Sequence, residues 1–171
     1  MNLQQLVGKH IKYICNNDYT TNSDSHCAHF VSHVLGFKFG YTCDKQVRNP
    51  SVKPGASIKV QEVFSKCLKV GHWSDRPSGV IRYLAFATTA TRVNLTNKIM
   101  PNIREKHVGI FYQGHIYHYD NKLNMVLQVS PDKFGRHYGS KTNVFYGTIH
   151  PSFQKTQPLI LKKSTATGTS N

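Results

Sequence analysis

Cys27, His107 and His118 are the residues whose types and neighbours suit covalent chemistry. Cys27 begins the segment HCAHFVSHVLGF, in which Phe30, Val31, Val34 and Leu35 fall at helical spacing and Gly36 is placed to end the helix. A thiol in the first turn of a helix meets free N–H groups and the positive end of the dipole. Both favour the thiolate, which is the attacking species. The competing reading is a small core residue, since free cysteines are commonly buried. His107 opens HVGIFY, a strand composition, and a histidine at a strand edge can reach a thiol on a neighbouring helix. His118 lies in HIYHY on the next strand, on the same face as Ile116. There it can hold the second ring nitrogen of His107 and fix its tautomer. Asn121 is the alternative third member if that strand ends earlier. Each histidine alone has a plain reading as a polar residue at a hairpin edge. The order helix-Cys, strand-His, next-strand polar residue is more specific than any one of them.

The elements that must position these residues follow from pattern. Leu3, Leu6, Val7, Ile11 and Ile14 predict an amphipathic helix over 2–15, weakened by Gly8. A helix is expected over 26–35, loop over 36–57, a short helix or strand over 58–68, and a turn-rich stretch over 73–79. Strands are expected over 81–88, 107–112, 115–119, 125–129 and 144–149, with a Gln113-Gly114 turn closing a hairpin. Helices first and an antiparallel meander after them predict an α+β domain with helices packed on one face of a sheet. The catalytic domain is expected to span 1–153, with 154–171 a polar, flexible tail.

In these motifs the chain resembles the NlpC-type papain-like cysteine peptidases and amidases. They carry a Cys at the start of a helix in a DCSGFV-like motif, then HVGIYxG on a strand, then a strand ending in a His-containing motif such as IHA. Here the three are HCAHFVSHVLG, HVGIFYQG and HIYHYDN. The resemblance spans roughly 24–129, with gaps. It departs at His26, where the family has Asp, and at Ala28-His29, where it has Ser-Gly. It implies a papain-like fold with Cys27 as nucleophile, His107 as general base and His118 as the polar third member. Tyr19 is the expected support of the oxyanion. The implied activity is hydrolysis of amide bonds in peptidoglycan peptides, with acyltransferase or deamidase chemistry as a variant on the same residues. A chain of this kind with no leader is similar to antibacterial effectors delivered between cells, which would bring an immunity protein or a secretion component as partner.

Composition sets the frame. The 171 residues suit one domain, by the usual roughly 100–200 residues per domain. With 39% hydrophobic and 11% aromatic residues, disorder of the whole chain is excluded. No run approaches the ~18 apolar residues of a membrane span. Lys+Arg outnumber Asp+Glu by 22 to 8, a formal charge of +14 that implies an anionic partner: nucleic acid, anionic lipid, or an acidic polymer such as that of a cell wall, among which the sum does not choose. A non-catalytic basic module binding such a partner is the rival class, although no nucleic-acid-binding motif is seen. The N-terminus does not resemble a signal peptide. Synthesis in the cytoplasm is expected, with leaderless export to the periplasm of a target cell compatible with it. A monomer is expected. His72 and Trp73 sit in a loop that could border the cleft and touch substrate, though a surface loop anchored by Trp73 is the preferred reading.

Cys15, Cys27, Cys43 and Cys67 match no CxxC zinc pattern. Reduced thiols are favoured at Cys15, Cys43 and Cys67 over a disulfide between two of them. His29 and His33, four apart, can chelate one ion, but the HExxH motif is missing, and lining the cleft is the preferred role. No metal and no cofactor are expected.

Overall fold

The computed structural model describes residues 2–47 and 55–150. The tail expected over 154–171, and the part of the expected loop that holds Pro50 and Pro54, lie outside the described residues. Six strands form one antiparallel sheet: β1 (Val70–His72), β2 (Arg82–Thr88), β3 (Lys106–Tyr112), β4 (His115–Asp120), β5 (Met125–Val129) and β6 (Asn143–Gly147), in the order β1-β6-β2-β3-β4-β5. Three helices accompany it: α1 (Cys27–Leu35), α2 (Val60–Ser65) and α3 (Pro131–Gly135). The class is α+β, as expected from the sequence.

Alternation divides the sheet into two faces. Leu84, Phe86, Val108, Ile110, Tyr117, Tyr119, Val126 and Phe145 point to the main core, where α1 and α2 supply Phe30, Val31, Val34, Val63 and Phe64. Ala85, Ala87, Ile116 and Val129 point the other way, under Phe134 of α3. Helices therefore lie on both faces, not on one. The second cover is α3, which five residues with Pro131 at the start and a Ser130 cap suffice to form.

The helix expected over 2–15 is replaced by two 3-10 turns, Leu3–Leu6 and Ile11–Tyr13. Gly8 between them takes φ +77°, and its N–H donates to the Val126 carbonyl at 2.8 Å, while Val126 N–H donates to the Lys9 carbonyl at 3.0 Å. Bonds to β5 thus outcompete the helical ladder, and Leu3, Leu6 and Ile11 still reach the core. α1 matches its expected span, and Gly36 ends it at φ +74°. At 58–68 the helix prevails over the strand. Gln113 and Gly114, with φ of 50° and 81°, make the tight turn between β3 and β4.

Candidate active site

Cys27 is the first residue of α1 and is almost fully buried. Its sulfur lies 3.6 Å from Ser25 Oγ and is met by the backbone N–H groups of Ala28 and Val108. The start of α1 is stitched to the β4–β5 turn. His26 N–H donates to Asn121 Oδ1 at 2.7 Å, and Asn121 Nδ2 donates to Ser25 Oγ at 3.2 Å. Burial pushes the Cys27 thiol up, opposed by the Ser25 hydroxyl, the two backbone N–H groups and the Lys106 charge.

His107 and His118 stand on the other face of the sheet. β3 and β4 are paired from Gly109↔His118 to Tyr112↔His115, which places His107 and His118 diagonally on one face. Their rings meet at 2.8 Å, His107 Nε2 to His118 Nδ1. That is the hydrogen bond expected from strand alternation. His137, in the loop after α3, stacks on His107 with ring centroids 4.1 Å apart and planes 16° from parallel. Phe134 closes over both histidines, at 5.7 and 5.6 Å. Burial, then the charges of His118 and His137, hold His107 well below the usual histidine range. Burial and His137 bring His118 down to about 4. The pair is therefore neutral at neutral pH.

The Cys27 sulfur and the His107 ring lie on opposite faces at the same end of β3, and no hydrogen bond joins them. Val108, whose N–H the sulfur accepts, is the neighbour of His107 and lies beyond the last β3–β4 pair. A solvent cleft of about 650 Å³ opens here, lined by Ser25, Lys106, Asn121, His137 and Tyr138 among others. A second cleft of about 450 Å³, on the α3 side, reaches His118, Phe134 and His137.

The structure thus places His118, and not Asn121, against His107; Asn121 holds the helix start. Tyr19 lies with its ring 5.3 Å from those of His26 and His29, and its hydroxyl bonds Asp24. It is not among the residues around the Cys27 sulfur. Burial, and then Asp24, raise Tyr19 to about 12. Tyr138 borders the cleft, and its phenol is raised by burial and then by the Cys27 charge. Trp73 and His72 are remote from the cleft. Trp73 packs edge-on against Phe111 at 5.4 Å under the Arg76 guanidinium, and His72 lies against Phe145. Phe111 is four residues along β3 from His107, about 13 Å. Trp73 is an anchor, the preferred reading of that loop.

His137 and Tyr138 escaped the sequence reading because FGRHYG carries no periodicity, and only the fold of α3 returns it to the sheet. His29 and His33 also differ from expectation. They turn away from the cleft toward Cys15 and Cys43, and one ligand atom from each of the four lies within 4.8 Å of the others. Cys15, Cys27, Cys43 and Cys67 form no disulfide among the described residues. Cys67 is buried, donates to the Val63 carbonyl and is pushed up to about 12 by burial.

No family model matches the chain, and no curated protein or solved structure is significantly similar to it.

Proposed function

We propose that this chain is a cysteine hydrolase of papain-like architecture that cleaves amide bonds, with peptidoglycan peptides as the substrate class. The observation that carries this reading is the His107–His118 hydrogen bond of 2.8 Å at the end of β3 where the Cys27 sulfur meets Val108. Nε2 of His107 is engaged by His118, so Nδ1 is the nitrogen left for the thiol. For Nδ1 to act as base, the Nε2 proton is donated to His118 Nδ1.

Burial favours the neutral forms of Cys27 and His107, so the resting site holds thiol and imidazole. That replaces the preformed ion pair which a helix-start cysteine alone suggests. His107 Nδ1 takes the thiol proton as Sγ attacks the substrate carbonyl. Backbone N–H groups at the start of α1, with the Tyr138 phenol at the cleft wall, stabilise the oxyanion. The imidazolium gives its proton to the leaving amine, and a thioester remains. Water, deprotonated by His107, hydrolyses the thioester and restores the thiol. The charge of +14 suits a target coated in anionic polymer. Delivery to another cell's periplasm, with an immunity protein as partner, belongs to the same proposal.

Digestion of purified peptidoglycan by wild type and Cys27→Ala, with products identified by mass spectrometry, tests it. New muropeptides from wild type alone are expected, and their masses name the bond. Equal cleavage by both proteins removes Cys27 as nucleophile. Intact peptidoglycan with both removes the substrate class.

A further inference from the structure

We infer that Cys15, His29, His33 and Cys43 form a closed, tetrahedral zinc site that clamps the helix bearing Cys27. The donor set is two thiols and two imidazoles, which suits zinc above the harder divalent ions. The Cys15 and Cys43 sulfurs are 3.9 Å apart, His29 Nε2 and His33 Nε2 are 3.1 Å apart, and Cys43 Sγ is 4.0 Å from His33 Nε2. Zinc bond lengths of about 2.3 Å to sulfur and 2.0–2.1 Å to nitrogen imply tetrahedral edges of about 3.8 Å for S–S, 3.3 Å for N–N and 3.5 Å for S–N. The S–S and N–N edges lie within about 0.2 Å of that shape and the S–N edge is about 0.5 Å longer, while all four ligand atoms lie within 4.8 Å of one another. A disulfide needs sulfurs about 2.05 Å apart, so the two cysteines are not bonded to each other.

The outer contacts point the same way. Asn17 Nδ2 and Ala56 N–H both donate to Cys43 Sγ, at 3.2 and 3.3 Å, as suits a metal thiolate. His29 Nδ1 lies 3.1 Å from His26 Nδ1, and His26 Nε2 lies 2.8 Å from the Thr21 carbonyl. That carbonyl can only accept, so His26 carries its proton on Nε2 and accepts from His29 Nδ1–H. The lone pair of His29 is therefore on Nε2, the nitrogen aimed into the cluster. Cys15, His29 and Cys43 are buried and His33 is half-buried, leaving no open position for substrate.

Binding is balanced by loss of the two thiol protons to solvent, including the one Cys15 shares with the Asn17 carbonyl at 3.0 Å. The ion would join the segment after the Ile11–Tyr13 turn, the buried side of α1 and the 3-10 turn Cys43–Gln46. The other histidine group, His107, His118 and His137, fits a metal less well, because the parallel stack of His107 on His137 does not let their lone pairs converge. The inference is independent of the proposed hydrolysis.

The test is the metal content and metal spectroscopy of the full chain. One zinc per chain is expected, with X-ray absorption showing two sulfur and two nitrogen neighbours. Cobalt in its place should give tetrahedral visible bands and thiolate charge transfer. Cys43→Ser and Cys15→Ser should lose the stoichiometric metal, and His118→Ala should keep it. If either serine variant does not fold, absorption on wild-type zinc decides. A folded wild-type chain that takes up no zinc after loading overturns the inference. So does a bound ion without sulfur neighbours, or one lost in His118→Ala but kept in Cys43→Ser.

Discussion

His118 and Asn121 are three residues apart in the chain and do different work. His118 holds a ring nitrogen of His107, whereas Asn121 ties the backbone of His26 and the Ser25 hydroxyl. His118→Ala should lower kcat with little change in KM, because it frees the His107 tautomer. His107→Ala should lower kcat by about 10²–10⁴-fold, the usual share of acid–base help. Asn121→Ala leaves a buried N–H without its acceptor and should cost about 1–3 kcal/mol of stability. Steady-state kinetics beside urea denaturation of the three variants separates these effects. Equal loss of kcat in His118→Ala and Asn121→Ala would contradict the assignment. The pairing of His107 with His118 was legible in the sequence because strand alternation is local and strict. The place of Asn121 was not, since its partners lie in another part of the chain.

At the scale of elements, the β3–β4 hairpin sets the spacing of the two histidines. Gly109 is required there by close approach: a Cβ on it would stand 2.7 Å from Ile116 Cγ2, 3.0 Å from the Tyr117 carbonyl and 3.1 Å from His118 Cβ. Gly109→Ala should part the strands, cost about 1–3 kcal/mol as overpacking does, and lower activity by more than the stability loss explains. Denaturation midpoints and kcat, measured together, check this. Unchanged stability and activity would mean that the hairpin is looser than described. HVGIFY and HIYHY could be read as paired strands because their alternation and turn are contiguous. The helix expected over 2–15 could not be corrected from sequence, because the bonds that undo it run from Gly8 and Lys9 to Val126. Likewise α3 and β1 are short, and what makes them regular is the sheet they join. The Cys15, His29, His33 and Cys43 cluster was invisible for the same reason: only the His-x3-His pair is local.

For the whole molecule, charge and burial predict responses to pH and salt. His107, His118 and His137 are all held below the usual histidine range, with burial as the main cause. Asp120 opposes this at His118 and His137, and Lys133 adds to it at His118. An unfolded histidine binds a proton near pH 6.5, whereas folded His118 does so only near 4. The unfolded state therefore gains protons first as the pH falls. Stability from this group is full above about pH 6.5 and is lost between there and about 4, on the order of 3 kcal/mol for His118 alone. Urea denaturation across that window should show the decline, and it should be shallower in His118→Asn. A wild-type profile flat from pH 7 to 4 would contradict the neutral pair. If the proposed cell-wall substrate is right, the +14 charge predicts salt-sensitive retention on anionic wall polymer, lost as salt rises past about 0.15 M. Retention that ignores salt would assign that binding to other contacts.

The central claim is that Cys27 is a nucleophile served by His107, and Cys67 is its internal control. Both thiols are buried, but Cys27 lies beside the cleft lined by Ser25 and Lys106, with donors to its sulfur. Cys67 donates to a carbonyl and is held up at about 12. The measurement is the rate of alkylation of each by iodoacetamide in the folded protein near neutral pH, read by peptide mapping, in wild type and His107→Ala. The account predicts that Cys27 reacts much faster than Cys67 and that His107→Ala removes most of the difference. Equal, slow reaction of the two thiols in wild type, or a Cys27 rate indifferent to His107, would contradict it.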